Sequence, residues 1–371
     1  MDRANKVARF PSSKKMPESA QGTPLVFDGH NDVLLKLVLQ KAAGKPRNFM
    51  QEVSYDHIDL VRAQRGGLGG GLFALFVPPR YELAPVLGLE SRHVAKDDFG
   101  AVPQGEALAY TMAAIAEMVR IERKSGGKVV ICKNSAEVSE SMRAGSMAVV
   151  LHMEGAEAID RDFNSLEVLY QLGVRSIGPV WSRPTIFAYG VPMIYGRTPD
   201  IGPGLTDLGK ELVRQCNHLG IMLDMAHLNE KGFWDVAAIS DKPIVATHSN
   251  VFAICPHARN LTDKQLDAIA ESKGLVGINF ATSFLAADGK PNPDLPLEQL
   301  IKHTDYLIEK LGEDGVALGS DFDGCGVPKA IGDASGLPNL LKAFAGAGYG
   351  AELIEKIAHK NWLSVMQRSG I

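Results

Sequence analysis

The sequence predicts a closed α/β barrel of the (β/α)8 TIM type, with long insertions in its βα loops and helices at its C-terminal end. Three observations predict it. Eight short apolar runs alternate with segments of helical periodicity. No G-x-G-x-x-G turn follows the first run, as a doubly wound sheet binding a dinucleotide would need, so the open sheet is the lesser structural alternative. Six polar residues, His30, Asp32, Glu154, His227, His248 and Asp321, stand at the carboxyl ends of apolar runs, where a parallel barrel gathers its chemistry on one rim.

The runs come in order as LVFDGHND (25–32), GGGLFALFV (69–77), MAVVLHMEG (147–155), VRSIGPVW (174–181), GIMLDMAH (220–227), KPIVATHSN (242–250), GLVGINF (274–280) and GVALGSDFDG (315–324). Several are rich in β-branched residues and fenced by Gly or Pro, the pattern of strands buried on both faces. The glycines at 66, 67, 69, 70 and 71 lack the Lys-Ser/Thr of a phosphate loop and precede a strand, so they read as a close-packed turn. Between strands, 104–123 predicts a helix with an apolar face of Leu108, Met112, Ile115, Met118 and Val119, stopped by Gly126 and Gly127. Thr206 and Thr262 read as helix N-caps. Two long connections, 77–104 and 182–204, follow strands at the rim and are marked as functional loops. The segment 337–367 predicts helices with an apolar face through Leu340, Leu341, Phe344, Leu353, Ile354, Ile357, Trp362 and Val365, which complete the helical ring or pack a partner subunit.

The domain expectation is a flexible leader over residues 1–22, rich in Lys, Ser and Pro, and one domain over 23–371. With 39 basic and 43 acidic residues the net charge is -4, which argues against nucleic acid or an anionic membrane surface and for a small-molecule partner. No stretch approaches the roughly 20 apolar residues of a membrane span, so neither a secretion signal nor an anchor is expected. The four cysteines lie far apart without a C-x-x-C pair, which points to a reduced, cytoplasmic chain.

The chemistry follows from the strand ends. In His30-x-Asp32 alternate strand residues share a face, so imidazole and carboxylate both enter the barrel mouth, a donor pair suited to zinc. Glu154 closes an apolar strand with no other reason to carry an acid, and a carboxylate there can bridge two cations. His227 and His248 end successive strands, about 4.8 Å apart in a parallel sheet, so both can reach one cation. Asp321 and Asp323 share a face by parity. Asp321, nearer the strand end, is assigned general acid/base work and Asp323 a loop-bracing role.

DGHND at 28–32, HMEG at 152–155, GLTDLGKELVRQCNHLGIMLDMAH at 204–227, THSN at 247–250, HARNLTD at 257–263 and GSDFDG at 319–324 resemble the membrane (renal) dipeptidase family of zinc metallopeptidases, within the amidohydrolase superfamily. The resemblance runs from about Leu25 to the closing helical segment GYGAELIEKIAHKNWLSVM. It implies a homodimer with two zinc ions per chain, one on His30 and Asp32, one on His227 and His248, and Glu154 between them. It further implies that a hydroxide between the metals attacks the amide carbonyl, that Asp321 relays the proton to the leaving amine, and that Arg259 receives the substrate carboxylate.

One position departs from the family. Where its members commonly carry T-H-S at the end of the fourth strand, this chain reads Val180-Trp181-Ser182. Trp181 is therefore a substrate-binding candidate of different chemistry, an indole face without a second titratable group. Arg183, Tyr189 or Tyr195 could supply the missing donor, and so could His152, two residues before Glu154, unless it is a buried histidine one layer deeper. The activity that the resemblance implies is hydrolysis of a dipeptide with a free C-terminus, with tolerance of a D-residue there. The alternatives are a binuclear-zinc amidase acting on an N-acyl amino acid or lactam, and a catalytically idle barrel scaffold.

Overall fold

The computed structural model of the chain describes residues 16–19, 21–88 and 100–371. Its strands are β1 (Val26–Asn31), β2 (Leu68–Ala74), β3 (Val129–Ile131), β4 (Met147–Glu154), β5 (Val174–Gly178), β6 (Met222–Leu223), β7 (Val245–Ser249), β8 (Leu275–Ile278) and β9 (Val316–Leu318). Ladders run in parallel through β1-β2-β4-β5-β6 and through β7-β8-β9. Single parallel bridges, Asp224 to Val245 and Asn31 to Phe322, join the two sets into a ring. The hydrogen bonds from Met225 N to Val245 O and from Asp32 N to Phe322 O, each 2.8 Å, fasten those seams. The eight barrel strands are the eight apolar runs. β3 is an addition that the apolar pattern did not flag: it pairs with Met147–Val149 of β4, and β5 takes over that edge from Leu151 onward.

Alternation along each strand sorts side chains between two cores. In β4, Val149, Leu151 and Met153 join the shell packed against the helices. Ala148 and Val150 join the barrel interior with Phe27, Leu72, Met222, Val245, Leu275 and Ala317. His152 and Glu154 continue that inward row toward the rim. Below, the helix Asn361–Ser369 closes the barrel: Trp362 is fully buried and donates its indole N–H to the Leu318 carbonyl at 2.8 Å. A side chain at Gly29 or Gly277 would collide with or crowd that ring.

The segment 337–367 thus packs onto its own chain, with Leu340, Leu341, Phe344, Ile354 and Ile357 in the outer core and Trp362 and Val365 in the inner one. The helix expected from residue 104 spans Gln104–Lys124, but its buried face differs from the predicted one. Met112 and Val119 are exposed, and the inner stripe runs through Ala107, Tyr110, Thr111, Ala114, Ile115, Met118 and Ile121. Small alanines bring this helix close to its neighbours, a stripe that counting large apolar residues overlooks. Thr206 caps the helix Asp207–Leu219 through the Gly209 N–H at 3.0 Å, and Thr262 forms a capping box with Gln265.

Of the expected leader, residues 1–15 and 20 lie outside the described residues. Met16 packs against the inner core, and Ser19 donates its N–H to the Thr23 carbonyl at 2.7 Å. The connection 77–104 begins with the helix Arg80–Leu87, and its residues 89–99 also lie outside the described residues. Among the described residues no helix is long and apolar enough to cross a membrane.

Candidate metal centre and active site

Glu154 is the hub of the rim. Its Oε1 stands 2.9 Å from His227 Nε2 and 3.5 Å from His248 Nε2, while Oε2 stands 3.5 Å from His30 Nε2. His30 Nε2 in turn lies 3.4 Å from Asp32 Oδ2. One carboxylate therefore faces two donor pairs with its two oxygens. Donor atoms of His30, Glu154 and His248 lie within 4.8 Å of one another, and so do those of His30, Asp32 and Asp321. The strand β1 ends at Asn31, so Asp32 reaches the cluster from the N-cap position of the helix Val33–Ala42.

The histidines are held from behind in ways that set their tautomers. Thr247 Oγ1 donates to Asp224 Oδ2 at 2.7 Å, since a carboxylate can only accept, and is left to accept from His248 Nδ1 at 2.8 Å. The proton of His248 thus sits on Nδ1 and the Nε2 lone pair faces the cluster. Ser182 Oγ stands 2.9 Å from His227 Nδ1 and can treat it the same way, donating to Met193 Sδ at 3.9 Å. The two Nε2 atoms are 3.1 Å apart, so two lone pairs confront each other beside a carboxylate oxygen. Both ring nitrogens of His30 and Oδ1 of Asp32 are buried without a hydrogen-bond partner.

Confronted lone pairs and orphaned buried donors are an arrangement that a cation resolves, and the imidazole and carboxylate set fits zinc. The neutral state of His227 and His248 agrees with this. Burial, with the charges of Arg259 and His30, holds His227 and His248 well below the usual histidine range. Burial opposes a charge on His30 too, but Glu154 and Asp32 overcome it and raise it well above that range. Burial, with the charges of Asp32 and Asp321, lifts Glu154 to about 7.

Asp321 joins this cluster and Asp323 turns away from it. Asp321 and Asp323 have φ of 58° and 70°, in the left-handed region that aspartate tolerates, so strand parity lapses after Leu318. Asn279 Nδ2 donates to Asp321 Oδ2 at 2.9 Å, and burial lifts the carboxyl of Asp321 to about 6. Asp323 instead accepts the His57 backbone N–H at 2.6 Å and donates its own N–H to His57 Nδ1 at 2.8 Å. Asp28, from the DGHND motif, braces the same turn by accepting from Ser320 N and Ser320 Oγ, both at 2.7 Å.

A cleft of about 320 Å³ opens onto the cluster, with Trp181 and Arg259 on its walls beside Phe76, Met193 and Phe284. Trp181 packs between the Phe76 ring, at 5.1 Å edge-on, and the His227 ring at 6.0 Å. Arg259 is buried; Nη1 donates to the Ala226 carbonyl, Nη2 to the His248 carbonyl at 3.2 Å, and Nε has no partner. His152 is fully buried one layer below Glu154, against Ser176 Oγ at 3.0 Å, and burial holds it neutral, down to about 3. It is not among the residues that line the cleft, nor are Arg183, Tyr189 and Tyr195. Arg183 is buried in an ion pair with Glu157 at 2.7 Å, and the Tyr195 hydroxyl donates to the Ala287 carbonyl at 2.8 Å.

Asp224, Thr247, Asn279, Ser182 and Asp28 are the supporting residues that strand-end counting missed. Asp224 and Asp28 carried a signal, an acid inside an apolar run. Lys36, Glu82 and Cys325 also line the cleft, from loops and helix starts where no pattern marks them.

A parallel barrel whose rim converges nitrogen and oxygen donors on a shared carboxylate defines a metallohydrolase of the amidohydrolase type. The chain belongs to the membrane dipeptidase family, peptidase family M19, whose sequence pattern matches residues 18–369. A metallo peptidase from Rhodobacter sphaeroides, solved with a phosphinate mimic of the dipeptide L-Ala-D-Ala, is 43% identical with a TM-score of 0.86, covering 94% of this chain and 99% of that one. The dipeptidase AC, another M19 metallo peptidase, is 43% identical with a TM-score of 0.85 and the same coverage, 94% and 99%. An uncharacterized protein of Klebsiella pneumoniae, from the pqqA 5' region, is 42% identical over 263 residues, 71% of this chain and 97% of that protein.

Proposed function

We propose that the protein hydrolyses dipeptides with a free C-terminal carboxylate, using two zinc ions, one held by His30 and Asp32, the other by His227 and His248, with Glu154 shared. The observation that carries this reading is the division of Glu154, Oε1 toward His227 and His248 and Oε2 toward His30. Bound metal supplies polarisation of the amide carbonyl and acidification of water. Asp321 accepts the proton lost by the attacking water as the C–O bond forms, then returns it to the amide nitrogen as the C–N bond breaks, leaving an amine and a carboxylic acid that ionises to the solvent or the amine. Arg259, with an unpartnered Nε in the cleft wall, receives the substrate carboxylate. The L-Ala-D-Ala mimic bound by the R. sphaeroides relative supports including dipeptides with a D-residue at the C-terminus.

A second reading keeps the metals and Asp321 but cleaves an N-acyl amino acid or a lactam. The observation that favours it is the apolar wall that Trp181 builds with Phe76 and Met193. We place the enzyme in a reducing cytoplasm, supported by four cysteines that form no disulfide. We also propose a homodimer, which the family resemblance supports and light scattering tests.

Rates on L,L- and L,D-dipeptides against N-acyl amino acids, with metal content measured on the same sample, test the reading. Dipeptide turnover with two metals per chain is the expected result. Activity confined to N-acyl substrates selects the second reading, and less than one ion per chain with no gain on adding metal selects an idle scaffold. Asp321→Asn should retain metal and lose about 10²- to 10⁴-fold in kcat.

A further inference from the structure

We propose that Asn279 is a positioning residue for Asp321 and decides which of its carboxylate oxygens faces the reacting groups; this rests on the proton role given to Asp321 above. Asn279 is fully buried, one residue beyond the end of β8. Its amide has one sensible orientation. Oδ1 accepts the Ala281 N–H at 2.6 Å, so the atom facing Asp321 Oδ2 at 2.9 Å is the donor Nδ2. A flipped amide would set oxygen against carboxylate oxygen and NH2 against N–H, two like-polarity contacts in a dry site.

The peptide groups around that amide are locked as well. Asn250, fully buried just past β7, donates Nδ2 to the Asn279 carbonyl at 2.9 Å and accepts the Asn279 N–H on Oδ1 at 3.2 Å. One side-chain amide thus stands in for a strand neighbour and clamps the ends of β7 and β8 together. On the far side, Asp321 donates its own N–H to the His30 carbonyl at 3.0 Å. Carboxylate and amide are both fixed, and Oδ2 is committed to Asn279. Oδ1 is not held by Asn279; it crowds the same space beside Gly324 as Oδ2 of Asp32, and the Cys325 thiol also hydrogen-bonds to this carboxyl. The proton-carrying oxygen is therefore Oδ1, aimed at the metal ligands, and Asn279 keeps it there.

A double-mutant cycle separates this role from simple support of the strand ends. Asn279→Ala should lower kcat roughly 10- to 100-fold, as small misplacements of a reacting group do, with KM within about twofold and metal content unchanged. Asn279→Asp, which keeps the shape and guards against a folding failure, should bind the same metal and lose at least as much kcat. Added to Asp321→Asn, Asn279→Ala should cost less than about twofold more, because nothing remains to be positioned. Losses that multiply, a change carried by KM, or a loss of metal would overturn the positioning role. If Asp321→Asn is inactive while Asn279→Ala keeps its kcat, the positioning role alone falls. If Asp321→Asn keeps full turnover, the proton role of Asp321 falls first and takes the positioning role with it.

Discussion

Oε1 of Glu154 lies 2.9 Å from Nε2 of His227, its shortest approach to any of the three rim histidines around it. Without a cation, that carboxylate and the imidazole lone pairs stand buried against one another. Stripping metal with a chelator should abolish turnover and lower Tm. A cation at about 100 times its Kd is worth about 2.7 kcal/mol, and at about 2.1 cal/mol/K of unfolding entropy per residue a domain this large loses about 1.3 °C per kcal/mol, so a fall of roughly 3–4 °C per ion is expected in a calorimetric scan. Added zinc should restore both, and an unchanged Tm would show that the cluster holds no ion.

Thr247→Val removes the hydroxyl between Asp224 and His248 at little cost in shape. With Nδ1 of His248 unsupported, metal affinity should fall on the order of 10- to 100-fold, measured by titrating apoprotein with zinc. An unaltered affinity would mean that packing alone orients the ring.

Burial lifts the carboxyl of Asp323 from its ordinary 3.8 to about 7. The folded protein then holds that proton more tightly than the unfolded chain. This favours folding below about pH 4 and the advantage is lost as pH climbs through about 7. Asp323→Asn should therefore flatten the dependence of Tm on pH between about 4 and 7 and raise Tm at pH 8. The variant should remain active, and a dead enzyme with normal metal content would move the proton role toward Asp323.

Arg259→Lys keeps the charge and loses the fork. On dipeptides the loss in kcat/KM should be on the order of 100-fold, about 2.7 kcal/mol, and amidated dipeptides should suffer far less. Equal losses on both would show that the guanidinium serves mainly to tie the Ala226 and His248 carbonyls.

Trp181→Ala should cut kcat/KM for substrates with bulky apolar side chains about 10- to 200-fold while barely changing glycine-containing ones, the range for apolar pocket contacts. A uniform loss would place Trp181 over the scissile bond itself, doing the work of the donor that family members commonly carry there.

The barrel was legible because its strands are buried on both faces and so stand out as apolar runs. The convergence of the rim residues was legible because a polar residue at the end of such a run needs a reason. β3 was not, since three residues, Val129–Ile131, carry too little pattern to separate from the helix before them. Nearness to the strand end favours Asp321 over Asp323; what parity hides is how the two part, through two left-handed residues and a bond to His57. Thr247 and Asn279 escaped because a hydroxyl or an amide inside a strand looks like filler until its partners, far away in the sequence, are known.

Ribosomal synthesis delivers His30, Asp32, Glu154, His227, His248 and Asp321 well before Trp362. Yet that indole, fully buried against Gly29 and hydrogen-bonded to the Leu318 carbonyl, is the stopper under β1 and β9, the two strands whose seam carries His30 and Asp321. A nascent chain thus exposes these side chains before the frame that aims them is whole. Where they hold metal as proposed, loading follows the setting of the barrel floor.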